Sequence, residues 1–561
     1  MIRQKTRENA YLFQSALLGL SVFLLIYGAE PLRVSGIGWL LKGYGGDDIT
    51  QHQTGWMFFR NSPWTFPFGK ALNLGWPEGT SVSYTDSIPI AALFFKLLSG
   101  ILPRDFQYFG LFTALCFSLQ GLFAALLVFQ FTGNRKYAVL SSLLFVFATG
   151  FIERAFRQSA LSAHWLILAG LCLYFAENPP VLFPILLNVL AIGIHPYLFA
   201  MVFALTFASE IRRCRKNGKL LTGVRRVGAV ITIVLIFGFL IGLFGNGSGI
   251  QPESGYGYYS LNLNALLNPA VDFLSSWSRW MPALSRTPEQ KDGSFYFGIP
   301  AALSLLLVLL LFRGKLIPAI YKYPEMAVLS LLFTVFAVSN RVTFGNDVIF
   351  KFHLAHSIRD LFNIFRAGSR FFYVPYYLLY FMIAAGFYRA FRKKAAFAIM
   401  AILIGLQIWE ITPGLMEIKE IFSKRVELPE LSSIWETASD YQELRTFENL
   451  NHRPLAFWTA RQGMRTNMMI SAPIHQRYYN ESVRAEKETL YRDLLNGEPL
   501  EADILYVISN ETGSNRILET PESLDELINA LQTNYADCAD LEYATDGFHN
   551  YWLLMPNKSG K

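Results

Sequence analysis

The chain has 561 residues, 52% of them hydrophobic and 16% charged, with a mean hydropathy of +0.30. A soluble domain carries about a quarter charged residues, so this composition excludes a surface that meets only water. Four cysteines at 116, 172, 214 and 538 show neither paired nor metal-ligand spacing, which excludes a disulfide scaffold and a zinc ribbon. The net charge of +7 is unevenly spread: residues 1–411 hold 35 Lys/Arg against 18 Asp/Glu, and residues 412–561 hold 14 against 24. Much of the basic excess sits in short clusters between apolar runs, which marks cytoplasmic loops and not a nucleic-acid surface.

A spanning helix needs about 20 mostly apolar residues. Such runs stand at 11–29, 106–131, 137–152, 163–176, 181–194, 197–210, 227–245, 297–312, 326–340, 371–388 and 395–411. The first follows Arg3, Lys5 and Arg7 but lacks a small-residue cleavage site, and so reads as an uncleaved anchor. With the N-terminus inside, Arg135/Lys136, the Arg212–Arg226 stretch, Arg313/Lys315/Lys322 and Arg389–Lys394 all fall on the cytoplasmic side. This assignment treats 88–102, which carries Lys96, as a helix lying in the outer interface. The expected fold is therefore mainly α: a polytopic membrane domain of about eleven spans over 1–411, with its first outer loop at 30–105. The segment 412–561 reads as a small α/β domain on the outer side. Within it, ILYVIS (504–509) and YWLLMP (551–556) have strand composition, and 481–495 and 521–531 have helical patterns.

The outer side carries the residues suited to chemistry. The first loop opens with Asp47 and Asp48 behind Gly45-Gly46. A helix beginning there places Asp48 and His52 on one face at i, i+4, with Trp56, Phe58 and Phe59 on a side that could be buried at the lipid interface. One acid would serve as a helix cap, but a cap needs only one of the two. Arg366 and Arg370 also stand at i, i+4, just ahead of a span, and guanidinium forks suit phosphate oxygens. Glu153, Arg154, Arg157 and His164 cluster at the mouth of the third and fourth spans. Asp86 precedes the interfacial helix as its cap or as a second acid. Tyr256 lies in a Gly/Tyr-rich outer loop where rings could stack on sugars. His353 and His356, at i, i+3, have no obvious third ligand nearby, so no metal site is expected there.

The plan of a first span, a long outer loop opening on a double acid (Asp47-Asp48) and an interfacial helix (89–100) before a long apolar run resembles the GT-C glycosyltransferases. These include the protein O-mannosyltransferases and the lipid A aminoarabinose transferases. The segments Gly46-Asp47-Asp48 with Gln51-His52, Thr85-Asp86-Ser87-Ile88-Pro89 and Arg366-x-x-Ser369-Arg370-Phe371 look closest to a family of bacterial inner-membrane proteins within that superfamily. The chain departs from the two better-known groups in carrying Asp48 where they have Glu, and Thr85-Asp86-Ser87 where they often have Lys-Pro-Pro. The resemblance implies transfer of a sugar from a polyprenyl-phosphate donor to an envelope glycan such as O-antigen or lipopolysaccharide, on the periplasmic side of a bacterial inner membrane. A phosphate leaving group needs no general acid, so one carboxylate suffices to take the acceptor's proton, and cations stabilise the departing phosphate. Asp47 is the expected base, with Asp48 its partner or a ligand to a metal or a hydroxyl; a divalent cation is the one cofactor left open. Arg366, Arg370, Arg154 and His164 are the expected donor-phosphate contacts, and His52, Asp86 and Tyr256 the acceptor or sugar contacts. The expected partners are the lipid-linked donor, a glycan or glycolipid acceptor and the bilayer. The rival readings are a flippase or transporter of lipid-linked sugars, a ligase or polymerase using diphosphate-linked glycans, and a non-catalytic scaffold.

Overall fold

The computed structural model describes residues 2–42, 48–244, 255–428, 431–448, 452–470, 473–512 and 517–557. It divides into two compact units: Met1–Val34 with Tyr108–Phe237 and Pro252–Arg425, and Ser35–Gln107 with Gly238–Gln251 and Val426–Lys561.

The first unit is mainly helical, with one antiparallel hairpin of Arg341–Phe344 and Asp347–Lys351, and each of the eleven apolar runs contains a helix. Five helices are long and apolar enough to cross a membrane: Asn9–Tyr27, Phe109–Thr132, Leu220–Leu240, Gly368–Ala390 and Lys393–Ser423. A sixth forms if Ile299–Leu311 and Arg313–Lys322, bent by 68°, count as one. Eleven separate spans are not borne out. Arg135–Val146, Trp165–Phe175 and Leu182–Ile194 have 12, 11 and 13 residues, and at 1.5 Å per residue they reach below about 20 Å against a hydrocarbon core of about 30 Å. One break has a clear local cause. Pro196 cannot continue the preceding helix, and His195 caps the next by accepting from the Tyr197 backbone N–H at 3.1 Å.

The first two long helices cross closely because small residues face the contact. A Cβ on Gly19 would stand 2.0 Å from the Phe117 carbonyl oxygen, and one on Gly121 would stand 2.3 Å from that of Ser15. Small residues let backbones approach where apolar burial gives no net drive inside lipid. Past that crossing, Phe23, Tyr27, Phe117 and Phe156 form an edge-to-face aromatic cluster, closed by a Tyr27 hydroxyl bond to the Ile152 carbonyl at 3.0 Å.

The second unit is built on a five-stranded mixed sheet. Its spatial order is Arg465–Thr466, Glu443–Arg445, Ile504–Ser509, Asn550–Pro556 and Ala539–Thr545, the first two pairings being parallel and the last two antiparallel. Tyr506, Ile508 and Leu554 pack with Leu527, Ile528 and Leu531 of the Pro521–Asn534 helix to make its core. The first-loop residues join this sheet's edge: Trp76 N–H donates to the Thr466 carbonyl at 2.8 Å, and Thr466 N–H to that of Asn73 at 2.9 Å. The Arg465 guanidinium lies 4.4 Å over the Trp76 ring, and Arg461 grips both oxygens of Asp105 at 2.8 and 2.9 Å. The interfacial-helix segment is a helix over Pro89–Leu97, with Phe94, Leu97 and Ile101 exposed.

Candidate functional site

The acid-bearing helix runs from Asp48 to Asn61, so it starts at the second acid of the pair; Asp47 lies outside the described residues. Every residue from Ile49 to Phe59 is buried. The aromatic side does not face a lipid interface: Trp56, Phe58 and Phe59 are each 0% exposed within the protein itself. Trp56 Nε1 and Gln53 Nε2 both donate to the Phe106 carbonyl, at 3.0 and 3.3 Å. At the far end, Arg60 binds the carbonyls of Ser99, Leu102, Pro103 and Arg104 at 2.6–3.1 Å, which locks the loop behind the Pro89–Leu97 helix.

Asp48 at the helix head keeps 45% of its side chain exposed and lies 3.7 Å from Arg453, which begins the Arg453–Gln462 helix. His52 is buried one turn below. Burial pushes its imidazole down to about 4, with Asp48 acting to raise it and Arg453 to lower it. At neutral pH this is a neutral ring beneath an accessible carboxylate. The turn carrying Asp86 braces this level of the helix: Ser87 Oγ donates to the His52 carbonyl at 2.7 Å and shares a 2.8 Å bond with Thr85 Oγ1. A Cβ on Gly55 would meet Thr85 Cβ at 2.3 Å, so the helix can approach the turn only with glycine there. Asp86 and Ile88 both hold φ at 55°, a left-handed conformation unusual for aspartate and strained for a β-branched residue. Ile88, not Asp86, occupies the cap of the Pro89–Leu97 helix, and no side-chain bond closes that cap. Two of the sequence segments singled out above thus meet in one unit through their described residues, 48–52 and 85–89.

The arginines and His164 belong to the first unit. Arg154 is buried and engages on every side: Nε with the Tyr373 hydroxyl at 2.6 Å, Nη1 with Gln158 Oε1 at 2.7 Å and with Asp292 Oδ1 at 2.8 Å. Arg370 Nη2 takes the other oxygen of Asp292 at 2.8 Å and Gln158 at 3.2 Å, and its guanidinium lies 4.8 Å over the Tyr197 ring. Burial alone would raise the Asp292 carboxyl, but Arg370, Arg154 and Arg157 together hold it far below the usual carboxylate range. Two guanidiniums share this carboxylate, and a second buried acid, Glu153, pairs with Arg157 at 2.7 Å and acts on Arg154 as well. Arg366 is half-buried, 5.3 Å over the Tyr259 ring. His164 Nδ1 pairs with the Tyr377 hydroxyl at 2.7 Å, its ring packs 4.0 Å from Tyr373, and its buried Nε2 has no hydrogen-bond partner. Tyr256 packs against Phe336 and Phe362, with its hydroxyl on the Phe336 carbonyl at 2.8 Å. His356 Nδ1 lies 2.8 Å from Arg359.

The structure therefore brings Arg154 and Arg370 together on Asp292, and Asp48 and His52 beside Arg453. Sequence reasoning missed Asp292 and Arg453. Asp292 sits in a Lys-Asp-Gly turn that reads only as loop, and Arg453 follows a stretch with no pattern pointing back to Asp48.

These features define a mainly helical membrane protein with a small sheet-bearing unit, an acid at the head of a helix buried from Ile49 to Phe59, and two arginines bonded to one carboxylate. The chain belongs to the family described as Domain of unknown function (DUF6311), which matches residues 16–412. No curated protein matches it in sequence. Among solved structures it is similar to the oligosaccharyltransferase of Archaeoglobus fulgidus in its apo form, at 11% identity and a TM-score of 0.38, over 98% of this chain and 75% of that one.

Proposed function

We propose that this protein is a membrane glycosyltransferase that moves a sugar from a polyprenyl-phosphate donor onto an envelope glycan acceptor, such as O-antigen or lipopolysaccharide. The reaction takes place on the periplasmic side of a bacterial inner membrane. The observation that carries this reading is the exposed Asp48 carboxylate at the head of an otherwise buried helix, preceded by Asp47 and underlain by a neutral His52. An acid held on so rigid a base is positioned and not merely solvated. In this reading Asp47 takes the acceptor hydroxyl's proton, and Asp48 orients it or holds a divalent cation. His52 and Asp86 contact the acceptor and Tyr256 its sugar. Arg154, Arg370, Arg366 and His164 are assigned to the donor phosphate, because the departing oxygen gains negative charge as the glycosidic bond breaks.

The test uses purified protein, radiolabelled sugar on polyprenyl phosphate and an envelope-glycan extract. Asp47→Asn and Asp48→Asn are expected to reduce transfer by at least about 100-fold while the protein stays folded, since general-base catalysis contributes about that much or more. Arg370→Ala is expected to raise the donor KM more than the acceptor KM. Full activity in Asp47→Asn sinks the mechanism. Donor that crosses the bilayer of proteoliposomes without any transfer would instead support the flippase reading, to which the helix pair bent by 68° would then belong.

A further inference from the structure

Past the end of the Ile504–Ser509 strand, next in sequence to Arg453, two histidines and two carboxylates converge. His452 immediately precedes the Arg453–Gln462 helix, Glu511 follows the Ile504–Ser509 strand, and Asp546 and His549 lie in the turn joining the last two strands. The proton count in this cluster is informative. Tyr551 has one hydroxyl proton and gives it to Asp546 Oδ2 at 2.8 Å. Its oxygen must then accept from His452 Nδ1, 3.0 Å away, so the Nδ1 proton of His452 is fixed. On a neutral His452 the ligating lone pair is then on Nε2, 3.5 Å from Glu511 Oε2. His549 repeats the pattern, with Nε2 3.9 Å from Glu511 Oε1 and a buried, unbonded Nδ1 3.8 Å from Asp546 Oδ2. A positive centre among His452, His549 and Glu511 suits both contacts. Two protons would do so by making two imidazoliums, but the rings are stacked 4.0 Å apart at 10°, where like charges repel. One divalent cation shared by both rings resolves them without that cost.

We propose that His452 Nε2, His549 Nε2 and the Glu511 carboxylate bind a single Zn2+-like ion, with the Tyr551–Asp546 pair orienting His452 behind it. The three donor atoms already lie within 4.8 Å of one another, and a tetrahedral ion with bonds of about 2.0–2.2 Å draws them to about 3.4 Å. Glu511 is 44% and His549 27% exposed, against 9% for His452, so closure is expected to move those two more than His452. Because a ring nitrogen binds in its own plane, loading turns the His549 ring out of the stack. A two-imidazole, one-carboxylate set suits zinc and disfavours magnesium or calcium, which take oxygen ligands. Hydrogen bonding from the second ring nitrogen through a phenol to a carboxylate is the usual support behind a metal-bound histidine. The ion would tie the sheet's last turn to the start of the Arg453–Gln462 helix, and this assignment does not depend on sugar transfer.

The experiment titrates chelator-stripped full-length protein in detergent with Co2+ as a visible probe and then displaces it with Zn2+. One equivalent showing four-coordinate Co2+ absorption is expected. His549→Ala and Glu511→Gln should weaken it at least about 10-fold, and Tyr551→Phe by about 10–100-fold, the range for such supporting groups. Metal-free His549→Ala should melt where metal-free wild type does, which separates ligation from folding. No saturable Co2+ binding, or binding untouched by these substitutions, overturns the site, and so does proton titration of both histidines that Zn2+ leaves unchanged.

Discussion

His52 lies one helical turn beneath Asp48 and gives the site a measurable dependence on pH. Its imidazole protonates at about 4 in the folded chain and near 6.5 when unfolded. Between those values the unfolded state binds a proton that the folded state refuses, so stability rises with pH across the window and is complete above about 6.5. His52→Gln, which keeps a polar side chain but cannot titrate, should flatten the slope of about 1.4 kcal/mol per pH unit expected for one proton. Thermal unfolding of the two proteins at pH 5 and pH 7.5 measures it; equal slopes would mean that His52 is not the responsible group. The i, i+4 relation of Asp48 and His52 was legible in the sequence because helical spacing is local. The pairing with Arg453 was not, because it joins residues far apart in the chain. Nor was the clamping of Asp292 by Arg154 and Arg370, since a lone acid in a loop carries no sign of the charges folded against it.

Among elements, the closest fit is that of the Asp48–Asn61 helix on the Thr85–Ser87 turn. Gly55→Ala puts a methyl group into the Thr85 side chain, at the stretch of the helix that is buried from Ile49 to Phe59. The expected loss is about 1–3 kcal/mol of stability, as for overpacked cores, read as a lower melting temperature. Unchanged melting would show that the turn yields. Among the described residues, each apolar run coincides with a helix, because burial in lipid needs only composition. Composition did not show that several of those helices stop after 11–15 residues, which removed them from the set of clear spans. In the tail, Ile504–Ser509 and Asn550–Pro556 announced themselves as apolar strands. Ala539–Thr545 did not, since it lies at the sheet edge with mostly exposed or half-buried residues that include Asp540 and Glu542.

Across the whole molecule, the first loop and the tail share a fold. Asn61 donates to the Ala460 carbonyl at 2.7 Å, Arg461 holds Asp105, and residues 73–76 hydrogen-bond to Thr466. Removing residues 426–561 should therefore do more than delete an appendage: the 35–107 segment loses its partner and becomes protease-sensitive while the membrane helices persist. Limited proteolysis of full-length and truncated protein in membranes checks this, and a loop that stays resistant after truncation would show that it folds alone.

The shared sheet edge also imposes a timetable. The ribosome releases residues 35–107 long before the strands at 443–466 exist, so during synthesis the acid-bearing helix waits without the surface that completes it. Joining segments so distant in sequence is intrinsically slow, because the long loop between them must first close. Until then Asp48 lacks Arg453, and the helix lacks its Asn61 anchor. A newly inserted chain should accordingly pass through an immature interval in which the membrane part is in place and the acid site is unfinished, so that completion of the tail doubles as a checkpoint on maturation.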